Sequence, residues 1–161
     1  MEIEVRDAAP ADLGRVVALL AAQLQEHAIP IAPEALRYAA EGLVGHAERG
    51  AVLLAWAEGE PVAVAAMSYS WTLEHGGPIA WLDELYVVPE LRCRGIGGRL
   101  LLAAMERART DGRIAMDLEV ETSHVRVEGL YAREGFRPLD RRHWTRRLDR
   151  GVPHLPDEHY I

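Results

Sequence analysis

Lysine and asparagine are missing from this sequence altogether, and cysteine occurs once, as Cys93. A single cysteine excludes an internal disulfide and makes a cytoplasmic location the expectation. Without lysine there can be no Gly-Lys-Ser/Thr ending, so a phosphate-binding P-loop is excluded, and all 18 basic residues are arginine. No stretch approaches the roughly 18 uninterrupted apolar residues of a membrane span. The opening residues MEIEVRDAAP carry acids where a signal peptide has a basic region and an apolar core.

What is present is a globular composition, 49% hydrophobic and 27% charged, on a length that suits one domain with a substantial core. The net charge of -7 argues against nucleic acid as a partner. Arginine nevertheless clusters at 92–99 and at 137–150, so seats for an anion exist on an acidic body.

IEVRDA reads as an opening strand. Pro10 and Asp12 suit the first turn of a helix whose apolar positions Leu13, Val16, Val17, Leu20 and Leu24 repeat at helical spacing to about Glu26. A second helix is expected over 34–49, softened by Gly42 and Gly45. Two apolar strands joined at Glu58-Gly59-Glu60-Pro61 make a hairpin. IAWLDELYVVP is nearly continuous in apolar character, as a central strand buried on both faces would be. RCRGIGG then opens a helix with the stripe Leu100, Leu101, Ala104, Met105 and Ala108. RIAMDLEVE supplies a further strand, HVRVEGLYARE a helix closed by Gly135, and FRPLDRRHWTRRL one or two final strands. This order gives an α/β architecture around one mixed sheet, in a domain over 1–148 followed by an aperiodic tail over 149–161.

RCRGIGG concentrates glycine, among the worst helix formers, where a helix starts. Glycine permits close backbone approach, and the first amides of a helix with its dipole favour an anion. Taken alone, the loop fits a plain tight turn with solvated arginines as well as it fits a phosphate seat. A dinucleotide fold is excluded by the spacing Gly95-x-Gly97-Gly98 and by the hairpin before it. The wider pattern decides. LDELYVVPELRCRGIGGRLL, with EGLYAREGF about 35 residues downstream, resembles the two signatures of the GNAT superfamily of acetyl-CoA-dependent N-acetyltransferases. The resemblance runs from IEVRDAAPADL through HWTRRL.

The resemblance implies a GNAT fold: a mixed, mostly antiparallel central sheet, splayed at the cofactor site and flanked by helices on both faces. It implies acetyl-CoA as acyl donor and no metal. The backbone of Arg92, Cys93, Arg94, Gly95, Ile96, Gly97 and Gly98 falls where the family holds the pyrophosphate, with Arg92 and Arg94 adding positive charge. Leu85, Tyr86 and Val87 fall where strand backbone pairs with the pantetheine arm and polarises the thioester carbonyl. Tyr131 takes the place of the general acid for the leaving thiolate.

Asp83 and Glu84 interrupt an apolar strand, and alternation points them to opposite faces. Either can serve as the base while the other is tied structurally. The nearest pattern is that of the diamine acetyltransferases, matched by Leu82-Asp83-Glu84 and by Tyr131, which makes Asp83 a substrate contact as well. Glu26 and His27 lie near that family's other substrate contacts, and Trp144 echoes a tryptophan near its C-terminus. His124 stands where the family usually has a cofactor-contacting asparagine, and imidazole replaces only part of that bonding. Arg141 and Arg142 occupy the neighbourhood of an acid in the diamine enzymes, which turns the expectation toward an amine that also bears a carboxylate. The remaining histidines show no ligand spacing.

The expected function is transfer of acetyl to a primary amine of a small molecule, a polyamine or amino acid, by direct attack in a ternary complex within a cytoplasmic homodimer. The alternatives are a protein or peptide N-acetyltransferase, or a non-catalytic acyl-CoA-binding regulatory module.

Overall fold

The computed structural model describes residues 1–149 and is built on a five-stranded sheet, β1 (Ile3–Asp7), β2 (Gly50–Ala57), β3 (Glu60–Thr72), β4 (Gly77–Val87) and β5 (Ala115–Leu118). The strands lie in chain order; the first four are antiparallel and β5 runs parallel to β4. Helices α1 (Leu13–Glu26) and α2 (Pro33–Glu41) cover one face, and α3 (Ile96–Thr110) with α4 (Val125–Arg133) the other.

Coverage on both sides is why β2 and the stretch of β3 from Pro61 to Met67 are apolar without interruption. Leu53, Ala55, Ala63 and Ala65 pack toward α3, while Val52, Leu54, Val64 and Ala66 pack toward α1 and α2. Side chains that alternate along a strand thus feed two cores. The small alanines of β3 let both helical layers approach closely.

One irregularity in β4 sets up everything that follows. Ala66 pairs with Glu84 and Met67 pairs with Leu82, so Asp83 is an extra residue, a β-bulge. Before it Ala80 and Leu82 join the α3 core; after it Leu85 and Val87 do, and Tyr86 joins the α1 side. The bulge has shifted the strand's alternation by one. Pairing with β5 also ends at Leu82–Leu118, immediately before the bulge. From Asp83 to Val87 one edge of β4 has no strand beside it among the described residues, which is the expected splay.

Several expected elements differ. The second helix ends at Glu41, because Gly42 starts a series of turns that passes through Gly45 at φ +81°. The 3-10 turn Pro10–Asp12 precedes α1, and the buried Asp12 carboxylate accepts the Ala9 N–H and an Arg6 N–H, each at 2.9 Å. The fifth strand stops at Leu118, short of Glu121. The final strands expected from FRPLDRRHWTRRL are absent among the described residues. Their alternating pattern needs an edge to pair with, yet this segment is exposed, with Trp144 at 88% and Leu148 at 91%. It is pinned instead by Arg141 to Glu74 and His143 to Glu119, both at 2.6 Å. The tail lies outside the described residues apart from Asp149. Among the described residues no helix is long and apolar enough to cross a membrane.

Candidate active site

Val88 donates its N–H to the Val62 carbonyl, so antiparallel alternation gives the backbone of Tyr86 to β3 as well. Leu85 and Val87 then point their amides and carbonyls to the open edge. Of the three backbone contacts expected from sequence, two face the gap.

The loop beyond β4 is bent by two residues in the left-handed region, Cys93 at φ +61° and Gly95 at φ +80°. Gly95 caps α3, whose first helical bond runs from the Arg99 N–H to the Gly95 carbonyl at 3.1 Å. The N–H groups of Ile96, Gly97 and Gly98 precede that bond and are left for a ligand. The Ile96 side chain is in the core, so only its backbone takes part.

A Cβ added at Gly97 would meet Val87 at 3.7 Å and Leu130 at 3.8 Å; one at Gly98 would meet Leu130 at 3.7 Å. These are ordinary contact distances. Nothing in the protein therefore demands glycine there, and what a side chain would fill is the space between the end of β4 and α4. A cradle kept clear in this way fits the pyrophosphate and pantetheine of an acyl-CoA.

Arg92, expected beside the pyrophosphate, is committed elsewhere. It grips Glu26 through two bonds of 2.9 and 2.7 Å and donates from Nε to the Val87 carbonyl at 2.9 Å. Its guanidinium also lies 5.4 Å over the Tyr86 ring. Arg94, together with Arg99, which sequence reasoning left out, makes no ion pair among the described residues and flanks the free amides. Cys93 is exposed within the loop.

The two acids of β4 have different surroundings. Asp83, on the bulge, is bonded by the hydroxyl and backbone of Ser68, and its carboxyl is pushed up by the apolar atoms around it. Glu84 is half-buried, and its carboxyl is pushed up to about 7. Burial is the main cause; Asp83 and Glu121 add repulsion, and His27 opposes it. Tyr131 packs on the α3 core with its ring edge-on to Phe136 at 5.9 Å, and its hydroxyl is pushed up by burial and by the charge of Glu84. Glu84 and Tyr131 therefore lie near enough for the charge of one to bear on the other.

At the end of α1, Glu26 is held by Arg92, while His27 turns to Glu121, Nδ1 to Oε1 at 3.1 Å. His124, the residue before α4, stacks edge-on against His27 with ring centroids 4.7 Å apart. The structure thus brings together His27 and His124, which the sequence assigned to different ligands. Glu121 was missed; its spacing of three residues from His124 was the available signal.

An open mixed sheet with its splayed strand running into a glycine-led helix is the arrangement expected of the GNAT fold. The chain belongs to the acetyltransferase (GNAT) family, whose model matches residues 16–136. It is 31% identical over 85 residues to the uncharacterized N-acetyltransferase YhfO of Bacillus subtilis (strain 168), covering 53% of this chain and 57% of that protein. It is 32% identical over 84 residues to the aminoalkylphosphonate N-acetyltransferase of Salmonella typhimurium (strain LT2), covering 52% and 54%. The chain thus spans a little over half the length of these relatives. Among solved structures, the aminoglycoside N-acetyltransferase AAC(6')-Iy in complex with CoA superposes with a TM-score of 0.78 at 18% identity, covering 92% of this chain and 96% of that one. At that identity the likeness is one of fold.

Proposed function

We propose that the protein is an acetyl-CoA-dependent N-acetyltransferase acting on a primary amine of a small molecule. The observation that carries this reading is the nearness of Glu84 to Tyr131, on the helix whose Leu130 faces an amide cradle that glycine keeps open. Bound acetyl-CoA supplies an electrophilic acetyl thioester. The amides of Ile96, Gly97 and Gly98, with Arg94 and Arg99, hold its pyrophosphate, and the open edge at Leu85 and Val87 orients its arm. An N–H on that edge, aimed at the thioester oxygen, stabilises charge as it develops there.

Glu84 is the base. A carboxyl near 7 is about half ionised at neutral pH and takes the proton of an incoming ammonium. The freed amine attacks directly, and the Tyr131 hydroxyl donates its proton to the departing thiolate. Asp83, tied to Ser68, is a wall of the acceptor side and raises Glu84 by repulsion.

The names of the relatives, an aminoalkylphosphonate and an aminoglycoside enzyme, support a small amine as acceptor. Within that class the diamine pattern rests on Leu82-Asp83-Glu84 and Tyr131 alone. The open edge of β5 and the exposed Trp144 and Leu148 are compatible with the expected homodimer. The test is thiol release from acetyl-CoA over polyamines, aminoalkylphosphonates, aminoglycosides, amino acids and peptides. Acceptor-dependent release with a small amine supports the reading. Release with peptides alone, or tight CoA binding with no release across the panel, overturns it.

A further inference from the structure

One group of side chains takes no part in the proton transfers proposed above. His27, at the end of α1, meets Glu121 and His124, from the segment between β5 and α4, the first of them 94 residues further along the chain. One ligand atom from each lies within 4.8 Å of the other two. His27 Nδ1 is 3.1 Å from Glu121 Oε1, and His124 Nε2 is 4.0 Å from Glu121 Oε2. Around a tetrahedral zinc with bonds near 2.0–2.2 Å, neighbouring ligand atoms stand about 3.3 Å apart. Small rotations of the exposed Glu121 and the half-buried histidines would close these three onto one ion.

We propose that His27, Glu121 and His124 form a binding site for a late first-row divalent metal ion, of which Zn²⁺ is the type case. Two imidazoles and one carboxylate are a donor set that suits such an ion and not Mg²⁺ or Ca²⁺, which take oxygen. Three protein ligands leave a fourth position open.

The geometry favours a shared ion: the two imidazole rings lie with centroids 4.7 Å apart and the Glu121 carboxylate reaches toward both. Sequence spacing hid the set, because only Glu121 and His124 are near one another in the chain. A filled site would tether the end of α1 to residues 121–124, two segments otherwise joined here by side chains alone. It stands independently of the acceptor's identity and of the roles assigned to Glu84 and Tyr131.

The test uses the full chain without acetyl-CoA, titrated with Zn²⁺ by calorimetry and with Co²⁺ for its visible absorption. Wild-type protein is expected to bind one equivalent, to show the intense bands of four-coordinate Co²⁺, and to gain thermal stability with Zn²⁺. His27→Ala, Glu121→Ala and His124→Ala should each lower affinity by at least about 10-fold and abolish the metal-dependent gain. His75→Ala, which removes a histidine paired to Asp117 elsewhere, and a His154→Ala/His159→Ala double variant should bind like wild type. Circular dichroism and the metal-free melting temperature check that each variant is folded. Wild-type protein that binds no metal overturns the proposal. So does binding that survives all three site variants, or that is lost in the His75 or the His154/His159 controls.

Discussion

The donor side and the acceptor side that we propose are built in opposite ways. The donor side is one continuous run, from the bulge at Asp83 through the loop to Gly98, which would act through its backbone. The acceptor side would draw on side chains at 26–27 and 83–84, with those at 121–124 packed beside them. A continuous backbone site is robust, since strand, cap and helix each have a core behind them. A side-chain site drawn from three segments is easily re-specified, one substitution at a time. A family that keeps its donor and varies its acceptor has reason to be built this way.

The largest expected effects come where the two sides meet. Tyr131→Phe should reduce turnover by roughly 100- to 10,000-fold if the hydroxyl is the general acid, with little change in fold because the ring keeps its packing on Phe136. Steady-state kinetics with a good acceptor, with chemistry shown to limit the rate, is the measurement. Unchanged turnover would remove Tyr131 from the chemistry.

Glu84→Gln should cost on the order of 100-fold in turnover and erase the rise in rate as pH increases through about 7. The same group sets a stability signature of known sign. A carboxyl raised from 4.5 to about 7 holds its proton more tightly in the folded than in the unfolded state. Its contribution is therefore full below pH ~4.5 and is lost as pH rises to about 7, by up to about 3 kcal/mol. Chemical denaturation at several pH values should show this decline in wild type and a flatter profile in Glu84→Gln.

More of the proposed donor side than of the acceptor side could be read from the sequence. RCRGIGG marks a turn into a helix, with Gly95 at φ +80° where the backbone favours glycine, while its reading as a phosphate seat came from the resemblance and not from the loop itself. The sheet, too, could be read from uninterrupted apolar runs. The bulge could not, since nothing in LDEL says that one residue is surplus. That is why strict alternation left Asp83 and Glu84 indistinguishable while the structure separates them. Arg92 looked like a phosphate ligand by position; its partner Glu26 is 66 residues away and invisible to local pattern. The segment 136–148 was expected to supply one or two strands, but a strand also needs a free edge to pair with, and the local sequence carries no information on that.

Gly97→Ala sets stability against function within the donor side. The residue lies in the first turn of α3 and an added methyl meets only ordinary contacts, so the fold should gain up to about 1 kcal/mol. The same methyl enters the cradle, and the apparent KM for acetyl-CoA should rise about 10-fold or more, as loss of one charge-assisted hydrogen bond of roughly 1.5–3 kcal/mol would give. Gly97→Leu should exaggerate the second effect. A higher melting temperature with unchanged KM would mean that the glycine loop is a turn and nothing else.

The smallest effect separates the two sides most cleanly. Glu26→Ala breaks the bidentate bridge to Arg92, a partly exposed pair that contributes no more than about 1 kcal/mol. Stability should scarcely move. Arg92 keeps its bond to the Val87 carbonyl and gains freedom to turn toward the loop, so the KM for acetyl-CoA should stay level or fall. If Glu26 also meets the acceptor, the KM for the amine rises while that for acetyl-CoA does not. Opposite movement of the two constants in one variant would show that the Arg92–Glu26 bridge is where the donor and acceptor sides touch. Movement of both in the same direction would show that the bridge merely braces the cleft.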